Sequence, residues 1–420
     1  MIRLKEVAVI NSTTPSSLIG EYVDYLPMQE VTETGKYTTK KQKKGQLPSG
    51  LNNFQQGDYL LAKISPCFEN GKGALISSLE TGFGMGSSEL MPIKPVSINP
   101  EFLGYLLSSP EFINAGIHDY KGATGHQRVS PRFVGEFVFD ESIDQERVVS
   151  LLNEKTKSIN SQITSLTQKL HHLEEYKTAL IHNAVTKGLD ANNKRILDGT
   201  PAEEMTWKDS GVEWMGDIPD GWGMSKIKNM FNVIGGYAAP NDIDMKENKN
   251  GISFYRMAFM GKNSFTLNMP KSDELLTEDQ AKFLGFSKVK AGSILIPKSG
   301  SVYKNHRCLV NEDCYIVSHI MALSPSKDLS SEYFTFLLKI LDMAKDMTKT
   351  TGLDSIGQDD VKNFEICNPS KHEQIAISDY LLVKTSLIGE MKSEINKKIA
   401  LLVEYKKSLI NEAVSGGVNV

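Results

Sequence analysis

Cysteine is scarce in this sequence, and the few cysteines present do not form a ligand pattern. Cys67, Cys308, Cys314 and Cys367 are scattered along 420 residues without CxxC spacing. This usage argues against a zinc site and a disulfide framework, and it is typical of a reducing cytosol. We therefore expect a cytoplasmic protein without a bound metal.

Long apolar runs and the signatures of common catalysts are also missing. No run approaches about 18 apolar residues, so no transmembrane helix is expected, and the segment MIRLKEVAVINSTTP has no signal-peptide core. No GxxxxGKS/T phosphate loop marks an ATPase motor. Neither an NPPY-like tetrapeptide of adenine methyltransferases nor a convincing nuclease core occurs. We expect a non-catalytic chain that needs no cofactor.

A positive net charge is the third absence. The formal net charge is −4 at pH 7, whereas a free-standing nucleic-acid binder is often strongly basic. If the chain binds DNA, its positive charge must therefore be local, or a partner must supply part of it.

Two long heptad stretches organise what is present, one over about 145–187 and the other over about 374–416. Apolar residues recur at every seventh position, namely Leu152, Ile159, Leu166, Leu173 and Leu180 in the first stretch and Leu381, Ile388, Ile395, Leu402 and Leu409 in the second. Such a repeat forms the seam of a coiled coil. A single helix cannot bury its own seam, so the two helices are expected to pack together. They are antiparallel if the pseudo-two-fold axis that relates the two copies crosses them.

The two heptad stretches match each other at an offset of 229 residues and follow two related globular regions. Their endings read LEEYKTALIHNAVTKG and LVEYKKSLINEAVSGG, and the regions before them share GDYLLAKISP and GSILIPKSGS. A globular region plus a helix is therefore a duplicated unit. Short β-like runs around one predicted helix, Pro100 to Asn114, indicate mixed α and β structure in the first region.

The order of these segments resembles the specificity subunit of type I restriction-modification systems. The motifs that carry the resemblance lie in residues 173–190, 209–222 and 402–416, and the second of them contains GVEWMGDIPDGW. The resemblance implies two target-recognition domains, each of which reads one half of a split DNA sequence. It also implies that the helices set the gap and dock methyltransferase subunits, which restriction/translocase subunits join, and that this chain is not itself catalytic.

The repeats and the resemblance together predict an α+β fold with two similar globular target-recognition domains separated by a two-helix antiparallel intramolecular coiled coil. The expected segments are domain 1 (1–144), coil helix 1 (145–188), a connector (189–222), domain 2 (223–371) and coil helix 2 (372–420). The expected partners are double-stranded DNA, the methyltransferase subunits and the restriction/translocase subunits, with no membrane.

Three kinds of segment are candidates for DNA contact. They are a lysine-rich loop (Lys40, Lys41, Lys43 and Lys44), the loops after the repeated strand (Lys63, Ser65 and Lys72; Lys298, Ser299, Ser301, Lys304 and Arg307), and a GATGHQR segment (His126, Gln127 and Arg128). Lysine suits phosphate contacts, while glutamine pairs with adenine and arginine with guanine. Each kind of segment also has an interpretation without DNA contact. The lysine-rich loop can be read as a solvated charge run, the loops after the repeated strand as ordinary hairpin turns, and the GATGHQR segment as a turn shared by the two repeats.

Two other functions remain open at this stage. The heptads alone would also suit a coiled-coil scaffold or oligomerisation protein without DNA specificity. A nuclease or methyltransferase with an unrecognised site would require this chain alone to cut or modify DNA, with magnesium or S-adenosylmethionine.

Overall fold

The computed structural model describes residues 1–15, 19–122, 127–240, 245–248, 250–263, 266–299, 306–347 and 355–417. These residues form two compact units. Unit 1 comprises Met1–Gln168 and Glu394–Val420, and unit 2 comprises Lys169–Ser393. Both boundaries between the units fall inside long helices, so each unit contains one globular region and a part of each helix.

The elements of the first half of the chain are strands β1 (Ile2–Arg3), β2 (Ala8–Ile10), β3 (Tyr22–Leu26), β4 (Lys40–Lys43), β5 (Asn52–Gln55), β6 (Tyr59–Ala62), β7 (Gly73–Leu75), β8 (Phe83–Gly86), β9 (Leu90–Pro95) and β10 (Val138–Phe139), with helices α1 (Leu4–Val7), α2 (Pro100–Leu107), α3 (Pro110–His118), α4 (Pro131–Glu136) and α5 (Gln145–Lys187).

The second half contains strands β11 (Trp207–Asp209), β12 (Asp217–Pro219), β13 (Gly223–Lys226), β14 (Phe231–Gly235), β15 (Ile252–Tyr255), β16 (Leu275–Leu276), β17 (Ile294–Pro297), β18 (Cys308–Leu309), β19 (Cys314–Ile316), β20 (Ile320–Pro325) and β21 (Glu365–Asn368), with helices α6 (Met257–Asn263), α7 (Glu278–Phe283), α8 (Ser331–Ile340), α9 (Met343–Met347), α10 (Gln358–Asn363) and α11 (Lys371–Val414).

The sheets of unit 2 repeat the topology of unit 1. One sheet of unit 1 has the strand order β2-β9-β6-β7, and its counterpart in unit 2 is β14-β20-β17-β18. The other has the order β4-β3-β8-β5, matched by β16-β15-β19. The parallel pair β3 and β8 recurs as the parallel pair β15 and β19, in sheets that are otherwise antiparallel. The duplication predicted from the sequence is confirmed.

Each unit contains a section of the two-helix coil, and the helices are antiparallel in both. Unit 1 holds the start of α5 and the end of α11, where Lys406 Nζ donates to Asn160 Oδ1 at 3.0 Å. Unit 2 holds the end of α5 and the start of α11, where Lys392 contacts Glu174. Of the heptad residues, Leu152, Ile159, Leu180, Leu381, Ile388 and Ile395 are buried, and Leu166, Leu173, Leu402 and Leu409 are half-buried. The predicted α+β fold with an antiparallel coil is confirmed.

A glutamine at the start of each long helix joins it to a domain helix. Gln145 Oε1 accepts from the backbone N of Asn99 at 2.7 Å, and Gln374 Oε1 accepts from the backbone N of Ser330 at 2.9 Å. Asn99 and Ser330 are themselves the N-caps of α2 and α8. The same side chain therefore fixes the angle between helix and domain in both repeats.

The single helix predicted over 100–114 is wrong, because two helices occupy this stretch. Helix α2 ends at Leu107, and α3 begins at Pro110. Proline lacks the amide hydrogen that a helix interior requires but fits the first helical position. Ser109 Oγ accepts from Phe112 N at 3.3 Å and so caps the new helix.

The connector after α5 is folded within unit 2. Helix α5 is followed by Gly188, whose φ of +67° favours glycine. The indole of Trp222 is buried and donates to Glu373 Oε1 at 3.2 Å, while Arg195 Nη2 lies 2.6 Å from the same oxygen. The connector is thereby anchored to the first turn of α11.

Replacing Leu381 by alanine should destabilise unit 2, because this seam residue is 0% exposed. We expect the free energy of unfolding to fall by about 2–5 kcal/mol. All tryptophans of the chain (Trp207, Trp214 and Trp222) lie in unit 2, so tryptophan fluorescence in urea measures the effect. Leu387→Ala, on the same helix but 49% exposed, is the matched control and should cost less than about 0.5 kcal/mol. An equal loss of stability in the two variants would contradict the assignment of Leu381 to the buried seam.

Candidate nucleic-acid interface

The lysine-rich segment is an edge strand rather than the loop expected from the sequence. Strand β4 pairs with β3 and lies at the edge of its sheet. Lys41 Nζ lies 2.6 Å from Glu80 Oε1, and Lys43 Nζ lies 2.9 Å from Glu21 Oε1. The Glu80 carboxylate raises the pKa of Lys41. In the part of the chain that the structure describes, no carboxylate lies within 4.0 Å of Lys40 or Lys44.

Asp24 anchors this strand, and sequence reasoning missed it. Its buried carboxylate accepts from Thr81 Oγ1 at 2.7 Å, Thr81 N at 2.8 Å and Thr39 Oγ1 at 3.0 Å. Burial opposes ionisation, but the hydrogen bonds outweigh it and lower the pKa of Asp24. No motif could have identified this residue, since its partners are distant in sequence.

The structure brings two of the predicted segments together in unit 1. The loop after β6 contains Lys63 and Ser65, and it pairs with the end of the GATGHQR segment. Ser65 N donates to Gln127 O at 2.9 Å, and Val129 N donates to Lys63 O at 3.0 Å. Lys63, Ser65 and Gln127 are all half-buried. Lys72 is half-buried at the start of the β7 region. His126 lies outside the described residues.

Unit 2 makes the equivalent junction with different side chains. Ile356 N donates to Lys298 O at 2.8 Å, and Ser299 forms a bridge with Ser355. The Ser299 hydroxyl lies 2.6 Å from His319 Nδ1. Ser301 and Lys304 lie outside the described residues. The two repeats thus present one backbone frame with two sets of side chains.

Arg128 is held by a carboxylate within this junction. Its Nε donates to Glu89 Oε2 at 2.9 Å, and its Nη2 donates to Glu89 Oε1 at 2.8 Å. The Glu89 carboxylate raises the pKa of Arg128. A bidentate contact of Arg128 with guanine therefore requires the pair with Glu89 to open.

The expectation that Arg307 contacts DNA is wrong for this structure. Its side chain is 1% exposed, and Nη2 donates to Leu341 O at 3.3 Å. Burial lowers the pKa of Arg307 to about 10. Arg307 directly precedes strand β18, and its side chain lies in the interior of unit 2 instead of extending from a loop.

Exposed apolar side chains follow the part of α11 that lies in unit 2. Val383, Leu387 and Met391 are spaced four residues apart, which places them on one face, and all three are exposed. The signal was present in the sequence as apolar residues outside the heptad seam. Phe283, at the end of α7, is 90% exposed.

Two classes of site are not found in the part of the chain that the structure describes. No group of three or more His, Cys, Asp or Glu side chains there could hold a metal ion. No helix among these residues is long and apolar enough to cross a membrane.

A family comparison identifies the second repeat. Residues 219–401 match the model of the type I restriction modification DNA specificity domain. The match covers most of the globular part of unit 2 and most of α11. The resemblance inferred from the sequence is confirmed.

Curated relatives carry the same description. The chain is 33% identical over 153 residues to the type I restriction enzyme EcoAI specificity subunit of Escherichia coli. It is 30% identical over 154 residues to the EcoEI specificity subunit of the same organism. Each match covers 35% of this chain and 26% of the relative, so the chain spans about a quarter of the length of these relatives.

Solved structures share the fold over the whole chain. One, from work on complex assembly and conformational transition of the type I R-M system, aligns with a TM-score of 0.77 at 19% identity and covers 99% of this chain and 97% of its own. The HsdS subunit from Thermoanaerobacter tengcongensis aligns with a TM-score of 0.55 at 17% identity, covering 99% and 96%. At these identities the likeness establishes the fold alone.

Replacing Asp24 by asparagine should loosen the lysine strand. Because the folded pKa of Asp24 is below the unfolded value, its stabilisation is present above about pH 4 and is lost as the pH falls through the folded pKa. We expect faster amide exchange in β3 and β4 at neutral pH, corresponding to about 1–3 kcal/mol, and little difference from the parent in acid. Asp140→Asn, at a half-buried carboxylate that accepts from Ser142 and not from this sheet, should leave this exchange unchanged. A pH-independent difference would contradict the assignment.

Proposed function

We propose that this chain is the DNA specificity subunit of a type I restriction-modification complex. It would read a bipartite double-stranded target, with one half-site for each globular domain and a gap set by α5 and α11. The observation that carries the proposal is the match of residues 219–401 to the DNA specificity domain, together with the same sheet topology in unit 1. Two related recognition domains in one chain suit a DNA target that has two separate half-sites.

The proposed domains follow the boundaries expected from the sequence. Residues 1–144 and 223–371 would be the two target-recognition domains, 145–188 and 372–420 the coil helices, and 189–222 the connector. The conserved frame around Lys63 and Lys298 supports a reading surface in each domain, because its backbone is the same while its side chains differ. Strand β4 would add phosphate contacts in domain 1.

Catalysis would reside in partner subunits in the cytoplasm. The curated relatives are named as specificity subunits of restriction enzymes. Methyltransferase subunits would dock on the coil, where Val383, Leu387 and Met391 are exposed, and restriction/translocase subunits would join them. Positive charge from these partners would offset the net charge of −4.

The decisive experiment is a mobility shift with purified methyltransferase subunit and a random DNA pool. Enrichment of a split sequence supports the proposal, and no sequence preference from any pool refutes it. Cutting or methylation of DNA by this chain alone would assign the chemistry to it instead.

Lys40→Ala should weaken DNA binding without changing sequence preference. Lys40 is exposed, and within the described residues no carboxylate lies within 4.0 Å of it. Loss of one phosphate contact should reduce the slope of log affinity against log salt by about one. Titrations at several salt concentrations measure this. Lys208→Ala, in the connector, is the matched control and should leave the slope unchanged. A changed half-site would contradict the phosphate role.

Inserting four residues into both coil helices should lengthen the gap alone. The insertions belong at the level where Lys392 contacts Glu174, the same in both helices, so that the residues beyond them still face each other. Four residues form a stutter that unwinds the coil only locally. Four residues add about 6 Å of helix, which is roughly one or two base-pair steps. Sequencing of the methylated sites measures both half-sites and the gap. Altered half-sites at a constant gap would refute the helices as the spacer.

A further inference from the structure

A cleft of about 660 Å³ lies within unit 1, between the globular domain and the coil. Strands β6 and β7, helix α2, the start of α5 and the end of α11 all contribute to its lining. No part of the DNA-recognition proposal uses this cleft.

The corresponding position in unit 2 carries large side chains. Gly57 N donates to Ile76 O at 2.8 Å, and the equivalent bond joins Gly292 N to Val310 O at 2.7 Å. This register makes Gly73 of the cleft equivalent to Arg307. The N-caps of α2 and α8 likewise make Ser108 of the cleft equivalent to Lys339. Unit 1 therefore has small residues where unit 2 has an arginine and a lysine.

Tyr59 places a buried phenol in this cleft. Its side chain is 5% exposed, and burial raises its pKa. Among the described residues, its hydroxyl has no hydrogen-bond partner. A Cβ added at Gly73 would lie 2.6 Å from this oxygen, so glycine keeps the space beside the hydroxyl open. Since Tyr59 lines the cleft, its hydroxyl can donate to a bound ligand.

Lys406 supplies a second donor. It is half-buried in the cleft, and burial lowers its pKa. Its ammonium donates to the neutral amide of Asn160 at 3.0 Å, and no carboxylate in the described chain lies within 4.0 Å. An anionic group would compensate this half-buried charge.

The remaining lining favours a peptide over nucleic acid. Aliphatic side chains of Leu75, Ile163 and Val403 line the cleft. Glu69 and Glu101 are exposed, and their carboxylates accept from Tyr120 and Asn153. The aliphatic surface suits apolar side chains of a protein, which a phosphodiester chain does not offer.

We propose that this cleft binds a segment of a partner protein through a carboxylate side chain flanked by aliphatic residues, with Tyr59 Oη and Lys406 Nζ donating to the carboxylate. The site is specific to unit 1, because Arg307 and Lys339 occupy the equivalent positions of unit 2. The inference goes beyond DNA recognition and does not depend on it.

The test uses the purified full chain and two peptides, acetyl-Leu-Glu-Leu-amide and acetyl-Leu-Gln-Leu-amide, observed by ligand NMR. We expect saturable binding of the glutamate peptide and binding of the glutamine peptide weaker by about tenfold. Tyr59→Phe should weaken the glutamate peptide about fivefold, and Lys406→Met about tenfold. Lys177→Met, the equivalent lysine of unit 2, is the matched control and should have no effect.

Three outcomes would overturn the proposal. They are equal binding of the two peptides, equal weakening by Lys177→Met and Lys406→Met, and no saturable binding up to about 10 mM of either peptide. If Lys406→Met weakens duplex DNA binding while neither peptide binds, the cleft is a phosphate site. The peptide assay contains no DNA, so its failure leaves the proposed DNA recognition untouched, and failure of DNA recognition leaves the peptide result standing.

Discussion

The last turns of each long helix are buried in a domain core, and the rest of the architecture depends on this packing. In unit 1, Ile410, Ala413 and Val414 at the end of α11 belong to the same core as residues near the N-terminus. In unit 2, the core contains Ile181 and Val185 from the end of α5. Burying an aliphatic side chain contributes about 1.5–3 kcal/mol. Each domain is therefore completed by the end of one long helix and the start of the other.

This packing of helix ends into the domain cores explains why the helices are antiparallel. Each domain precedes its own long helix, so the start of that helix is fixed beside it by Gln145 or Gln374. The end of the other long helix must then reach the same domain, and only opposite directions allow this within a unit. The section of the coil in each unit is thereby fixed to the domain of that unit.

The two repeats keep their frame and differ in the groups placed on it. The backbone bonds at Lys63 and Lys298 are equivalent, yet one junction carries Arg128 with Glu89 and the other carries Ser299 with His319. The repeats also differ at the cleft of unit 1, because large side chains fill the equivalent position of unit 2. The two repeats thus share the hydrogen bonds that fix the fold, while the side chains around these bonds differ.

Sequence alone determined the architecture, because periodicity and repetition report directly on packing. The heptads located both long helices, and the offset of 229 residues identified the duplication. The family resemblance came from contiguous motifs in the connector and helix ends. These features involve neighbouring or regularly spaced residues, so the amino-acid sequence alone is enough to recognise them.

The tertiary structure decided which polar residues share a site. The lysine run became an edge strand with half of its charges paired, and Arg307 turned inward although its neighbours suggested a loop. The junction of Lys63 with Gln127, and the opposition of Tyr59 to Gly73, join positions far apart in the chain. Burial and partners of a polar group depend on which strands pair, and that pairing is set by long-range contacts that spacing in the sequence does not encode.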